Sequence, residues 1–432
     1  MKICLINPPW TFDGSIYFGC REPHLPLELG YSAAFLERAG HQAEIIDAHL
    51  HGLSTEDVAR RVEAIGPDMT VVTTAPTYLF WRCAPPEVRV PRAMLGALKG
   101  KGGRLVAVGP HGSATPRTAL RKLGADIVVM GECEEVVARL CGGEPLDRIP
   151  SIAWRDVHGR EHVQGVPHAG TFTDLPALLW PDDWVKRHRH HHHRFDGDGA
   201  DWGPGAEVEA SRGCPYHCSF CAKENFRDAY RRRDLGELLL EIDTLRGQGV
   251  EYLYFIDEIF LPDRRLLEAL VGRGLKFGIQ TRIDLWKPEM LDLLGHAGCV
   301  SIEAGMESLT VEGRAMLAKD CRMDTDTLTQ RLIHARRRVP FVQANLIAVP
   351  TDDAAHVARW RDAMRTLGIW ANDPVPLFPY PGTPDYRRLF GLPDDHAWER
   401  AVGHYLALFD RFSDIQDDRP LPLSQLEGEA AE

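Results

Sequence analysis

Apolar residues fall in short runs, each followed by a longer stretch in which they recur every third or fourth position. In residues 1–145 the runs are KICLI (2–6), AEIID (43–47), TVVTT (70–74), RLVAVG (104–109) and DIVVM (126–130). Between them GYSAAFLERAG, TEDVARRVEAIG and PRAMLGALKGKG read as helices, the first closing at Gly40. Strict alternation of strand and helix predicts a parallel sheet covered on both faces. Five strands fit a doubly wound, flavodoxin-like order, whose ligands sit beyond the carboxyl ends of the strands. Those ends carry NPPW (7–10), TTAPTYLFW (73–81), VGPHGSATP (108–116) and GECEE (131–135).

Residues 146–205 read as a connector, with a weak hairpin in PSIAWRDVHGREHVQ and loop-like DLPALLWPDDW. The tract RHRHHHHRF (187–195) lies here. Adjacent histidines cannot all face one ion, so it reads as a solvated or phosphate-facing loop. From residue 206 to 390 the alternation resumes on a larger scale. Strands are predicted at EVEAS (207–211), EYLYFID (251–257), KFGIQT (276–281), VSIEAG (300–305), FVQANLIAV (341–349) and near VPLF (375–378). Six such βα units predict a partial, open relative of the (β/α)8 barrel, with its chemistry on loops at the carboxyl ends. Residues 391–432 are expected to hold one amphipathic helix, AWERAVGHYLALFDRF, and a mobile acidic tail.

Composition narrows the class. At 44% apolar and 26% charged residues the chain is globular, neither disordered nor fibrous. A formal charge of −12 argues against a protein coated for nucleic-acid phosphate and excludes no small substrate. No run approaches eighteen apolar residues, and MKICLINPPW opens on a strand instead of a signal peptide, so the chain reads as cytoplasmic with no membrane partner. Ten cysteines spread over 432 residues are not a disulfide framework. In a reducing compartment a tight cysteine cluster reads as metal-binding or catalytic.

One such cluster exists. SRGCPYHCSFCAK (211–223) spaces Cys214, Cys218 and Cys221 as C-x3-C-x2-C, directly after the first strand of the second half. A zinc site would need a fourth ligand; His217 or a distant cysteine could supply it, but no second C-x2-C pair is present. A cluster used only for electron transfer is normally capped by four thiolates. Three thiolates on a cubane leave one iron without a protein ligand, the kind of open position a catalytic metal keeps for its substrate.

C-x3-C-x2-C with Phe220 before its last cysteine resembles the radical S-adenosylmethionine superfamily. The resemblance implies a [4Fe-4S] cluster on Cys214, Cys218 and Cys221, whose open iron is chelated by S-adenosylmethionine. It further implies a 5′-deoxyadenosyl radical and an external electron donor of the flavodoxin or ferredoxin type. Phe220 joins the implied S-adenosylmethionine contacts. Asp257 and Glu258 of IDEIF stand where the family's usual GGE receives the methionyl ammonium, and Arg282 of QTRID is the candidate for its carboxylate. IEAGMES resembles the family's GIES segment, making Glu303 and Glu307 ribose-side or sulfonium-side candidates. Asn345, with Val349 and Pro350, falls in the adenine-side region, and PYPGTPDYRRLF (379–390) resembles the segment that ends such cores when a cobalamin domain precedes them.

The first half resembles that cobalamin domain through NPP, PLELGYSAAFLERAGH, VGPHGSATP and GECEE. The resemblance implies cobalamin contacts at Thr73, Thr74, Tyr78, Gly109, Pro110, His111, Gly131 and Glu132, with Trp10 or Tyr78 as candidate fillers beneath the corrin. DAHLHG (47–52) has the literal D-x-H-x-x-G pattern of a cobalt-ligating histidine, but it follows the second strand. Asp47 therefore reads as a strand-end carboxylate and His49 as a loop histidine. FRDAYRRRD (226–234) reads as a solvated basic stretch, or else as a contact for an anionic substrate or the cobalamin phosphate. The whole pattern resembles a subgroup labelled the rhizo-twelve system. The expected activity is cobalamin-dependent radical methyl transfer to an unactivated carbon of a small molecule. A radical rearrangement, ring closure or oxidation without methyl donation is one alternative, and a non-catalytic cobalamin or redox sensor is another.

Overall fold

The structure, a computed structural model, describes residues 1–16, 22–77, 84–188, 204–225, 229–409 and 419–428. The first sheet has seven strands in the order β2-β1-β3-β4-β5-β6-β7. They are β1 Lys2–Asn7, β2 Gln42–Asp47, β3 Met69–Thr73, β4 Arg104–Val108, β5 Ile127–Val129, β6 Ile152–Arg155 and β7 Glu161–Gln164. The first five run parallel, as their apolar runs predict.

Alternate residues of these strands enter two separate apolar layers. Leu5, Val71, Val106 and Ile127 pack with α1 (Leu27–Arg38). Ile6, Val72, Ala107 and Val128 pack with the helices Thr55–Ile65, Arg89–Leu98 and Pro116–Leu123. Strand order reverses at β1, between β2 and β3, which makes the crevice beyond Asn7 and Thr73 the ligand position of a doubly wound sheet.

The hairpin assigned above to the connector belongs instead to this sheet. β6 pairs antiparallel with β5, and Ile152 and Trp154 enter one apolar layer while Ala153 enters the other. Its alternation of buried side chains, not its length, is what seats it there.

β8 Gly205–Val208 opens the second half, followed by the two-residue antiparallel pair β9 Ser211–Arg212 and β10 Arg231–Arg232. β11 Tyr252–Phe255, β12 Lys276–Arg282, β13 Cys299–Glu307, β14 Phe341–Leu346 and β15 Trp370–Ala371 join β8 in an open parallel sheet, in sequence order. The last strand lies earlier than VPLF. Pro374 and Pro376 flank Val375 and have no N–H to donate, so that segment makes only an isolated bridge from Val375 to Ile347.

Register in this sheet sets Gln280, Glu303 and Gln343 in one row and Arg282, Gly305 and Asn345 in the next. Their chain neighbours Ile279, Ile302, Ala304, Val342 and Ala344 lie in the apolar core under the helices. The inner face of the open barrel is therefore polar toward the carboxyl ends, while Tyr252 and Tyr254, fully buried, fill its amino-terminal part.

One apolar cluster spans the two halves. Leu27 and Tyr31 of α1, with Phe172, Leu175, Leu178 and Trp180 of the connector, pack against Ala206 and Val208 of β8. The end of the chain also departs from the expectation of a mobile tail. The helix Leu423–Glu427 buries Leu423 and Leu426, and Glu427 accepts the Val88 N–H at 2.9 Å and pairs with Lys122 at 2.9 Å. Apolar spacing inside an acidic segment is enough to dock it on the first domain.

Candidate active site

The cysteine loop leaves β9 through Gly213, whose φ of +77° lies in the left-handed region that glycine enters without strain. Its N–H donates to Glu258 at 2.7 Å. Behind it the fully buried Asp257 accepts from the Ala210 N–H at 2.9 Å and the Ser211 hydroxyl at 2.5 Å. Burial pushes that carboxyl up to about 7. Both carboxylates of IDEIF thus hold the base of the loop. This corrects the expectation for Asp257, whose oxygens are spent behind the loop and not on the inner face.

Cys214, Cys218 and Cys221 are partly exposed free thiols. Burial raises all three above the ordinary thiol range, Cys221 to about 12, and the other two thiols lie close enough to raise Cys221 further. Positive charge opposes the shift: Lys223 acts on Cys214 and Cys221, Lys319 on Cys218, and Arg282 on Cys214 and Cys218. Such surroundings suit thiolates bound to a metal centre. Among the described residues no group of three His, Cys, Asp or Glu closes on a single ion.

The loop is braced from two sides. The Ser219 N–H donates to the Leu317 carbonyl at 2.9 Å, its hydroxyl donates to Asp385 at 3.1 Å, and its carbonyl accepts the Asp385 N–H at 3.0 Å. The Asn225 amide donates to the Pro381 carbonyl at 2.9 Å, and a Cβ on Gly382 would collide with that amide. With a φ of +92° as well, Gly382 holds a backbone position that other residues enter only under strain.

Arg282, at the carboxyl end of β12, donates to Asp284 at 3.1 and 2.8 Å and lies 4.0 Å from the Tyr216 ring centre. Its remaining terminal nitrogen, Nη1, is buried with no hydrogen-bond partner among the described residues. Glu307 adopts φ +63° beside the irregularity between Gly305 and Glu307, and pairs with Lys319 at 2.6 Å. Glu303 stays on the inner face, and Asn345 accepts the Gln343 amide at 2.5 Å. Phe220, partly exposed, remains on the loop. Lys223 and Lys319, both almost fully buried, were not singled out from sequence, nor were Tyr216 and Asp284. Only the position of Lys223 two residues after the last cysteine could have flagged any of them.

On the first domain Thr73, Thr74, Gly109 and Pro110 gather at the ends of β3 and β4. The Thr74 N–H donates to the Val108 carbonyl at 2.9 Å, while its hydroxyl is buried without a partner among the described residues. Beside them Trp10 donates to Asn7 at 2.6 Å, and Asn7 donates to Asp47 at 2.9 Å. Asp47 caps the short helix Ala48–His51 through the Leu50 N–H, and His49 sits edge-on to Phe12 at 6.5 Å.

Two expected cobalamin contacts are otherwise engaged. His111 donates from Nε2 to the Pro85 carbonyl at 2.8 Å, packs 5.0 Å from the Trp398 ring and is lowered to about 4 by burial, as a neutral core histidine. Glu132 is buried in ion pairs with Arg231 and Arg212, next to Gly131, which bridges to His168. Tyr78 and residues 189–193 of the histidine tract lie outside the described residues, as do residues 226–228. His188 is buried and contacts the Trp184 carbonyl at 2.8 Å.

These residues fit the implied groups. Three cation-flanked thiols suit a cluster, the orphaned Arg282 nitrogen suits a carboxylate, and the orphaned Thr74 hydroxyl at the switch point suits a polar cofactor edge.

Comparison with known proteins agrees. Residues 208–362 match the radical SAM superfamily and residues 20–141 match the B12 binding domain. An uncharacterized methyltransferase, PH0819, of Pyrococcus horikoshii is 24% identical, over 94% of this chain and 84% of its own length. The anaerobic magnesium-protoporphyrin IX monomethyl ester cyclase of Cereibacter sphaeroides is 28% identical over 71% of this chain, which spans about half of that protein. In fold, the chain resembles the radical S-adenosylmethionine methyltransferase TsrM of Kitasatospora setae, solved with cobalamin and a [4Fe-4S] cluster. The TM-score is 0.69 at 19% identity, covering 89% of this chain and 76% of that one. Among the described residues no helix is long and apolar enough to cross a membrane. The chain carries a B12-binding domain in residues 20–141 ahead of a radical SAM domain in residues 208–362.

Proposed function

We propose that this protein is a cobalamin-dependent radical S-adenosylmethionine methyltransferase acting on an unactivated carbon of a small molecule. One observation carries the reading. The three-cysteine loop lies at the carboxyl rim of an open barrel with a polar inner face, and is pinned to the domain whose switch-point crevice suits cobalamin. When bound, the cluster and S-adenosylmethionine supply one-electron radical chemistry, and cobalamin supplies a transferable methyl group.

The chain's own residues position and screen. Cys214, Cys218 and Cys221 hold the cluster, while Lys223, Lys319 and Arg282 offset thiolate charge. The unpaired Arg282 nitrogen receives the methionyl carboxylate. Glu303, Gln343 and Asn345 offer polar contacts along the inner face, and Glu307 is held at its edge by Lys319. Thr73, Thr74, Gly109 and Pro110 line the cobalamin crevice. The electron donor is external, of the flavodoxin or ferredoxin type.

A second reading, radical ring closure or oxidation without methyl donation, draws on the likeness to the cyclase. Anaerobic turnover with methyl-labelled S-adenosylmethionine, added cobalamin and a chemical reductant separates the two. Methyl transfer yields both 5′-deoxyadenosine and S-adenosylhomocysteine; ring closure yields 5′-deoxyadenosine alone. Formation of neither would overturn both readings.

A further inference from the structure

The cysteine loop is closed at its base by a pairing of only two residues per strand, in which Arg212 stands directly opposite Arg231. Two strands this short do not hold themselves together in water, and like charges set directly opposite each other push them apart. Part of what offsets the repulsion comes from the other domain. Glu132, buried just beyond β5, takes the Arg231 guanidinium on one oxygen. Its second oxygen lies 3.1 Å from Arg231 and 3.5 Å from Arg212, and accepts the Gly170 N–H at 2.9 Å.

Arg212 is further fixed by Glu134 at 2.8 Å and Glu209 at 2.8 Å, over the rings of Tyr31 and Phe172. Arg231 carries the Gly170 carbonyl as a second acceptor. One carboxylate of the first domain thus grips both strands that close the cysteine loop of the second.

We propose that Glu132 is a positioning residue: it supplies the carboxylate that Arg231 needs opposite Arg212, keeps β9 and β10 paired, and so fixes the loop that carries Cys214, Cys218 and Cys221 against the B12-binding domain. The proposal rests on the reading of these cysteines as cluster ligands. Without Glu132, Arg212 keeps Glu134 and Glu209, but Arg231 is left facing it with only the Ala229 and Gly170 carbonyls, and the loop's base opens while the sheets on either side keep their own apolar layers. Removing Arg231 as well then takes away the charge left without a carboxylate. That sign distinguishes an electrostatic staple from ordinary buried packing, where a second deletion makes matters worse.

The test is hydrogen exchange on the full metal-free chain, comparing wild type, Glu132→Gln and Glu132→Gln with Arg231→Gln. Amides at 211–214 and 229–233 are expected to exchange about tenfold faster or more in Glu132→Gln, with β1 to β4 unchanged, and to slow again in the double variant. If Glu132→Gln does not fold, recovery of a folded chain in the double variant is the same rescue. Unchanged exchange at the loop's base, or a double variant no better than the single, would overturn the staple. Iron content of reconstituted wild type is read separately; its absence would remove the cluster reading while the exchange pattern still decides the staple.

Discussion

The guanidinium of Arg282 lies 4.0 Å from the centre of the Tyr216 ring, joining the end of β12 to the first turn of the cysteine loop. Asp284 holds the same guanidinium in plane and leaves one nitrogen unpaired. A lysine offers a point charge that cannot make the fork and the ring contact together. Arg282→Lys is expected to retain iron and to weaken S-adenosylmethionine binding by about 1.5–3 kcal/mol, the worth of a charged hydrogen bond. Titrating the ligand against the reduced cluster's paramagnetic spectrum measures it.

Asp257 predicts a pH dependence of stability. Burial raises its carboxyl from 3.8 to about 7, so the folded chain keeps a proton that the unfolded chain has released. That contribution is full below the unfolded value and is lost as pH rises through the folded one. Thermal midpoints should fall for wild type between about pH 4 and about pH 7, and fall less in Asp257→Asn. Equal slopes would show that the carboxyl does not titrate there.

The last helix acts as a strap. Glu427 takes the Val88 N–H and Lys122, and Lys122 also pairs with Glu399 at 2.5 Å. Glu427→Ala leaves a buried N–H and a partly buried ammonium short of partners, an expected loss of about 2–4 kcal/mol. Chemical denaturation of the full chain measures it, and no loss would mean that the strap adds nothing.

His49→Ala is expected to leave the spectrum of bound cobalamin unchanged. His49 lies in the short helix after β2, the edge strand, with its ring edge-on to Phe12, and not on the loop after β1. A spectral change toward different cobalt ligation would reverse that assignment.

Much of this architecture was legible in the chain. The apolar runs at 2–6, 70–74 and 104–109 sit in strands because both faces of a doubly wound sheet are buried, which leaves an unbroken signal. Position within the barrel was harder. The sixth strand was misplaced because VPLF looks apolar, while its flanking prolines deny it a ladder.

Side-chain duty was harder still. IDEIF reads as a ligand motif, yet its carboxylates hold the Gly213 and Ala210 N–H groups. Glu132 reads as a crevice residue, and only the three-dimensional approach of Arg212 and Arg231 reveals its partners. Lys319 carries no local signal; the chain turns it inward between Ala318 and Asp320, both at positive φ.

Counting iron, sulfide and zinc per chain after anaerobic purification and reconstitution, in wild type and Cys218→Ala, tests the centre of this account. It predicts about four irons and four sulfides in wild type and their loss in Cys218→Ala, with cobalamin still bound by the variant. One zinc per chain, with no sulfide and no response to S-adenosylmethionine, would contradict it.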